Sequence, residues 1–283
     1  MKKMLSLILA LVLALTCFTA CGAKAPAADP APATDAPATE APATDAAAAD
    51  TDLTKIQANG KIIVGITEYA PMDYKDENNE WTGFDAEFAQ LFAEELGVEC
   101  EFYVIADWGK KFLELETNMI DAVWNGMTIT EEALLNASVS DPYVINAQVV
   151  VMKADKLADY PDAESMVDLT FAVENGSAGQ DAAESIGATK IVLVQDQAAA
   201  LMEVAAGTSD ACVIDITRAR AMTGEGTSYA NLAYEVALTS EEYGVAFRKD
   251  SDVTAAFNAF MDKLIADGTL QALAEKYSLT LAE

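Results

Sequence analysis

The feature that most constrains the fold of this chain is a helix-to-strand corner written twice. Leu115-Glu-Thr-Asn118-Met-Ile-Asp121-Ala122 and Val204-Ala-Ala-Gly207-Thr-Ser-Asp210-Ala211 share one scheme, apolar-x-x-(Asn or Gly)-x-x-Asp-Ala. Asn and Gly tolerate the left-handed backbone that ends a helix, and Asp-Ala then opens a strand. Each corner sits in the same order of elements. In the first half, Lys61 to Gly65 is a short apolar run bounded by turn residues, the pattern of a buried parallel strand. Gly83 to Gly97 then places Phe84, Phe88, Leu91 and Phe92 on one helical face and stops at Gly97. Val98 to Ile105 reads as a strand, Trp108 to Thr117 as a helix and Met119 to Trp124 as a strand. The second half repeats the plan with strands at Thr170 to Glu174, Lys190 to Gln195 and Ala211 to Asp215, and helices at Ala178 to Ile186 and Gln197 to Ala206. A βαβαβ run calls for a doubly wound sheet, so the body is expected to be two similar α/β halves. Behind them, Val253, Phe257, Phe260, Met261 and Leu264 mark a helix ending at Gly268, and Leu270 to Tyr277 a second one. This helical tail is either a third layer or a return to the first half.

In front of the body stand an address and a spacer. Met1-Lys2-Lys3 is a positive start, and Met4 to Thr16 is an apolar run too short to span a bilayer, the pattern of a secretory signal. The run ends in Thr19-Ala20-Cys21-Gly22, which resembles the lipobox of bacterial lipoproteins; the resemblance implies removal of residues 1–20 and a lipid on Cys21. Residues 21–52 are dominated by Ala, Pro, Thr and Asp, with Ala-Pro-Ala-Thr recurring at 31, 36 and 41. Such a segment has too little apolar bulk for a core and is expected to be an extended tether.

Composition narrows the chemistry. Lys and Arg number 17 against 46 Asp and Glu, a net charge of −29 that argues against nucleic acid as a partner. The chain has no His, which excludes a Ser/His/Asp or Cys/His constellation and the usual imidazole metal site. No cofactor and no metal are expected. Of the four Cys, Cys17 leaves with the signal and Cys21 carries lipid; Cys100 and Cys212 sit in strand-like runs of different halves and are expected as free buried thiols.

Several short motifs occur in order along the body: Gly65 with Tyr69-Ala70-Pro71, Gly83-Phe84-Asp85, Trp108, Thr128-Ile129-Thr130-Glu131, Ser140-Asp141-Pro142-Tyr143, Gly176-Ser177, Asp210 and Asp215, and Gly244-Val-Ala-Phe-Arg248. Together they resemble the bacterial extracellular solute-binding proteins of family 3, the amino acid receptors of ABC importers, over residues 55 to 283. The resemblance implies a type II periplasmic-binding-protein-like fold, with two α/β lobes of doubly wound sheet joined by two hinge crossings, near Tyr143 to Ala147 and Leu238 to Tyr243. Lobe 1 is then expected over 53–145 and 241–283, with the helical tail packed back on it, and lobe 2 over 146–240. The implied partners are a small amino acid or amine in the interlobe cleft, ABC permease subunits, and the cell membrane reached through the lipid. The body is expected outside the cytoplasm and as a monomer.

Carried over position by position, the resemblance makes Asp215 the acceptor of the ligand ammonium. Tyr69 and Trp108 flank the ligand, Trp124, Asn125 and Gly126 form the cleft floor, and Asn125 offers it an amide. Thr128 offers a hydroxyl and a backbone N–H, and Ser177 and Ala178 present the start of a helix. One position departs from the family. The Arg that holds the ligand α-carboxylate after the Thr-x-Thr-x-Glu stretch is here Ala133. A methyl group cannot pair a carboxylate. Three explanations stand open: the ligand lacks an α-carboxylate; another cation substitutes, Arg218 first and Arg220 or Lys110 after it; or backbone N–H groups at Thr128 and after Gly176-Ser177 suffice. Two other classes of function meet only part of what they need here. A dehydratase-like enzyme on this scaffold has carboxylates in Glu68 and Asp215 but a weakened substrate anchor and no His. A sensor ectodomain would want a membrane-spanning signalling helix that the sequence does not show.

Overall fold

The computed structural model describes residues 51–283. The expected signal, Cys21 and the tether up to residue 50 lie outside the described residues. Thr51 and Asp52, expected as the end of the tether, instead begin the body: the Thr51 side chain accepts from the Thr54 N–H and caps α1 (Asp52–Asn59).

The chain then runs through β1 (Lys61–Ile66), a hairpin of β2 (Tyr74–Lys75) and β3 (Trp81–Thr82), α2 (Phe84–Leu96) and β4 (Glu99–Val104). A single tight turn at Trp108–Lys110 leads into α3 (Lys111–Glu116), followed by β5 (Ala122–Val123), α4 (Glu131–Asn136) and β6 (Ser138–Val139). β7 (Val144–Asn146) crosses to a second lobe of β8 (Gln148–Lys153), β9 (Thr170–Glu174), α5 (Ala178–Ser185), β10 (Lys190–Val194), α6 (Gln197–Ala206), β11 (Ala211–Asp215), α7 (Ile216–Met222) and β12 (Leu232–Ala237). β13 (Glu241–Tyr243) crosses back, and β14 (Ala246–Phe247), α8 (Val253–Asp267) and α9 (Thr269–Lys276) complete the first lobe.

Each lobe is built on a five-stranded sheet, in the orders β4-β1-β5-β14-β6 and β10-β9-β11-β8-β12. In both, the first three strands are mutually parallel and the fourth is antiparallel to them. That fourth strand, β14 or β8, enters its sheet directly after a hinge crossing. β7 and β13 pair antiparallel between the lobes, with Glu241 opposite Asn146 and Tyr243 opposite Val144.

The repeated corner has a physical cause. Asn118 and Gly207 both take left-handed backbone, with φ of 61° and 77°. The Asp three residues on then turns its carboxylate to a backbone N–H of the neighbouring parallel strand. Asp121 accepts from the Ile63 N–H at 2.9 Å in β1, and Asp210 from the Thr170 N–H at 2.8 Å in β9. One residue type therefore ends the crossover and fixes the register of the parallel pair. β5 spans two residues where six were expected, with Asp121 N–H to Ile63 O and Trp124 N–H to Gly65 O bonding it to β1 just beyond either end.

The helical tail returns to the first lobe. Phe257 and Phe260 of α8 meet Phe88 and Phe92 of α2, and Trp124 packs edge-on against Phe88 and Phe257 at centroid separations of 5.0 and 4.9 Å. Such contacts add to burial of the apolar area itself. Arg248, between β14 and α8, ties this return to both ends of the lobe. It donates to Asp52 at 2.9 Å, to Ile120 O at 2.8 Å and to Asp121 at 2.9 Å. Cys100 in β4 and Cys212 in β11 are free thiols, Cys212 fully buried and Cys100 partly so. Among the described residues no helix is long and apolar enough to cross a membrane.

Replacing Arg248 by Met is expected to cost about 2–3 kcal/mol, the scale of charge-assisted bonds lost from a partly buried site. Urea unfolding at neutral pH measures it. A loss below about 0.5 kcal/mol would assign the network no more weight than an exposed ion pair.

Candidate functional site

Parallel strands deliver their carboxyl ends to one edge of a sheet, where chains leave the hydrogen-bonded ladder and side chains become available. In this molecule the edges of both sheets face each other across one cleft. β1 delivers Thr67, Glu68 and Tyr69; the segment after β5 delivers Asn125 to Thr128; β9 ends in Glu174 and leads to Gly176 and Ser177; β11 ends in Asp215 and leads to Arg218. The cleft encloses about 610 Å³ of empty space, counted out to its open mouth. Trp108, Lys111, Thr130, Glu132, Gln148, Ala178, Asp181, Asp196 and Gln197 complete the lining.

Nine of the ten side chains expected here line this cleft: Tyr69, Trp108, Asn125, Gly126, Thr128, Ser177, Ala178, Asp215 and Arg218. Trp124 does not. It is fully buried in the aromatic core of the first lobe, so its place on the cleft floor is corrected to core packing. Ala133 is also absent from the lining. It is 1% exposed in α4 and packs with Ile105, Trp108, Leu115 and Ile120.

Several of these side chains spend their polar groups on the protein. The Asn125 carbonyl accepts from the Thr67 N–H and its amide donates to the Thr67 hydroxyl, both at 2.7 Å, so Asn125 locks the ends of two neighbouring strands instead of presenting a free amide. The Thr128 hydroxyl donates to Glu241 at 2.8 Å. Ser177 caps α5: its hydroxyl donates to Glu174 O at 2.9 Å and accepts from the Gln180 N–H at 3.2 Å. Gly126 has φ of 55°, and a Cβ there would meet the Tyr69 ring at 2.6 Å, which requires glycine on both counts.

Three hydroxyls join the lobes to the hinge. Tyr69 OH lies 2.7 Å from the Thr217 hydroxyl and 2.9 Å from Tyr243 OH, and Thr217 lies 2.8 Å from Tyr243. The three residues come from the first lobe, the second lobe and the returning hinge strand. On the opposite side of the cleft, Lys111 donates to Gly176 O at 3.0 Å and Asn175 to Asp107 at 3.2 Å. Gly176 approaches so closely that a Cβ on it would lie 2.6 Å from the Gly109 Cα. The lobes are closed on each other.

The electrostatics of the cleft are one-sided. Glu68, Glu132, Glu174, Asp181, Asp196 and Asp215 line it against Lys111 and Arg218. Asp215 is 4% exposed and accepts amide donors from Asn146, from Gln148 at 2.8 Å, and from Gln197. Burial, reinforced by the nearby Glu241, still pushes its carboxyl up to about 6. The same Asn146 and Gln148 amides also donate to Glu241, both at 2.7 Å, so Asp215 is wired through both hinge strands. Glu174 is pushed further, to about 8, by burial and then by Asp215 and Asp196. Burial lowers the Lys111 ammonium, opposed by Glu132 and Glu174. Of the other expected cations, Lys110 is exposed and paired with Asp107 at 2.8 Å, and Arg220 is exposed and outside the lining.

Lys111, Glu174, Gln148 and Gln197 were not expected from the sequence. Glu174 carried a readable signal: it ends β9 as Asp215 ends β11, in adjacent strands of the same sheet. Gln148 and Gln197 gave none, since only the folded chain brings them to Asp215. Among the described residues no cluster of His, Cys, Asp or Glu has the arrangement of a metal site.

With this geometry in place, the comparisons are direct. The family model of bacterial extracellular solute-binding proteins, family 3, matches residues 62–280, and the chain belongs to that family. It is 27% identical over 228 residues to the L-cystine-binding protein TcyJ of Escherichia coli (strain K12), covering 80% of this chain and 85% of the relative. It is also 27% identical over 237 residues to the L-arginine-binding protein of Pseudomonas aeruginosa, covering 80% and 90%. A crystal structure of a variant of ArgBP from T. maritima superposes with a TM-score of 0.74 at 31% identity, over 80% of this chain and 98% of that one. The fold is therefore the type II, two-lobed one, and the relatives named are binding proteins.

Asp215, Asp85 and Glu174 are raised to about 6, 7 and 8, in each case by burial first. The folded chain thus keeps protons that the unfolded chain gives up from about pH 4, so its stability falls as pH rises from about 4 to 8. Melting temperatures of the ligand-free protein between about pH 4.5 and 8 are expected to decline, and Glu174→Gln to flatten the upper part of that decline. A profile that rises over the window would contradict the assignment.

Proposed function

We propose that the protein is the lipid-anchored receptor of an ABC importer and that it captures a small amine-bearing solute, an amino acid or close derivative, between its lobes. The observation that carries this reading is the cleft lining, in which six carboxylates face two cations and the innermost pair, Asp215 and Glu174, is almost wholly buried. A buried carboxylate is stabilised by a positive partner, and an ammonium or guanidinium group supplies one. Tyr69 and Trp108 add aromatic faces at which cation–π contact contributes about 0.5–2 kcal/mol. The names of the relatives, receptors of L-cystine and L-arginine, fit the same class, and the surplus of acid favours its basic members.

In this reading Cys21 carries the lipid, the segment after it is the tether, and the body works at the outer face of the cell membrane as a monomer that docks on the permease. Closure is a population shift toward contacts made only when the lobes meet: the hydroxyl triad at Tyr69 on one side of the cleft, and Lys111 with Gly176 on the other. A dehydratase-like activity is disfavoured by Asp215 itself, because three amide donors hold its carboxylate and leave it poorly placed to deliver a proton.

A thermal-shift panel tests the reading. L-Arginine, L-lysine, L-ornithine and L-cystine are set against L-aspartate and L-glutamate. A ligand at about 100 times its Kd adds about 2.7 kcal/mol, which raises the melting temperature by a few degrees. The basic amino acids are expected to stabilise and the dicarboxylates not to, and Asp215→Asn is expected to remove the shift. Equal stabilisation by L-glutamate, or an undiminished shift in Asp215→Asn, would contradict it.

A further inference from the structure

The cleft is lined by two buried groups of opposite type, Arg218 and Glu174, that form no ion pair with each other. Arg218 is 6% exposed, yet among the described residues no carboxylate lies within ion-pair distance of it. Its single hydrogen bond is a long one, from Nη1 to Ala70 O at 3.4 Å; its buried Nε–H has no partner. The guanidinium lies over the Tyr69 ring with its carbon 5.4 Å from the centroid, and most of its five N–H donors are unspent. Glu174, also 6% exposed and lining the same cleft, accepts no hydrogen bond from the described residues through its carboxylate. A buried guanidinium without a counter-charge is costly to the folded state, and its unspent donors beside the cleft mark where an anionic group belongs.

The remaining cations are otherwise committed. Lys111 joins the lobes by its bond to Gly176 O, lies 3.9 Å from Glu132 and sits over the Trp108 and Phe112 rings. Lys110 is exposed and paired, and Arg220 lies outside the lining. Ala133 is sealed in the core of the first lobe. Arg218 follows Asp215 by three residues at the start of α7, and both line the cleft. An α-amino acid carries its ammonium and carboxylate on one carbon, and so needs an acceptor and a donor lining one space.

We propose that Arg218 holds the ligand's carboxylate, so that the receptor selects amino acids over the amines made by removing that carboxylate. This rests on the amine-binding reading above. Arg218 comes from the second lobe but reaches Tyr69 and Ala70 of the first, so the carboxylate it holds is captured as the lobes close. Glu174, on the neighbouring strand end, is then the acceptor for the cationic end of a basic side chain.

Calorimetric titration of the purified protein with three matched pairs tests the proposal: L-arginine and agmatine, L-lysine and cadaverine, L-ornithine and putrescine. The amino acid of a binding pair is expected to bind about 30-fold or more tightly than its amine. Arg218→Met is expected to weaken the amino acid by a similar factor and to leave the amine within about threefold. Arg218→Lys, which keeps the charge but loses the fork, is expected to fall between. A readout free of ligand accompanies these: Arg218→Met removes an unpaired buried charge and is expected to raise the melting temperature of the empty protein. An amine that binds as tightly as its amino acid, an equal loss of both in Arg218→Met, or a lower melting temperature of the empty variant overturns the role of Arg218 while leaving the amine-binding reading in place. Cooperative melting of the wild type with no binding of any of the six compounds overturns that reading, and the role of Arg218 with it.

Discussion

The structure depends on one constraint: carboxylates are carried into a nearly dry space between two lobes and must be kept tolerable there. Asp215 is made tolerable by amides from Asn146, Gln148 and Gln197, and Glu241 by Thr128 and two of the same amides. Glu174 has no such donors among the described residues and is pushed toward its neutral form by burial. The cleft is thus prepared for positive charge in two ways, by a carboxylate already oriented and by one that ionises when a cation arrives.

That constraint reaches the hinge. Asn146 belongs to the outgoing hinge strand and Glu241 to the returning one, and both touch the site through the amides that hold Asp215. Tyr243, two residues beyond Glu241, belongs to the hydroxyl triad with Tyr69 and Thr217. The two strands that join the lobes therefore also carry groups that reach the cleft. The backbone approach of Gly176 to Gly109 sets how closely the far edges meet, and any larger residue at 176 would hold them apart.

Much of the fold was legible in the sequence, because its strongest signals are local. The doubled corner at Asn118–Asp121 and Gly207–Asp210 announces a parallel strand pair in each half, and the structure shows why: each Asp accepts from a backbone N–H of the parallel strand beside it, Ile63 in β1 and Thr170 in β9. Phe84, Phe88 and Phe92 at helical spacing marked the core face of α2. What the sequence did not reveal depends on contacts between distant segments. Trp124 ends a strand beside a cleft-lining Asn125, and only the return of α8 with Phe257 shows that it points into the core. Lys111 differs from Lys110 by one position, and the tight turn before α3 buries one and exposes the other. Asn125 carries a free-looking amide in the sequence, but its partner Thr67 lies on another strand. The expected clamp at 133 is a buried methyl, and the open choice among substitutes narrows once Lys110 and Arg220 prove to be turned away from the cleft.

The central claim is that a cation replaces protons on buried carboxyls when the cleft fills. The most direct measurement is the number of protons exchanged on binding, obtained by calorimetry at about pH 7 in buffers of different ionisation enthalpy, with the amino acid of the panel that binds most tightly. Glu174 is raised to about 8 by burial first, and a neighbouring cation lowers it. The account therefore predicts net release of protons, reduced in Glu174→Gln. Proton uptake, or none exchanged, would contradict it.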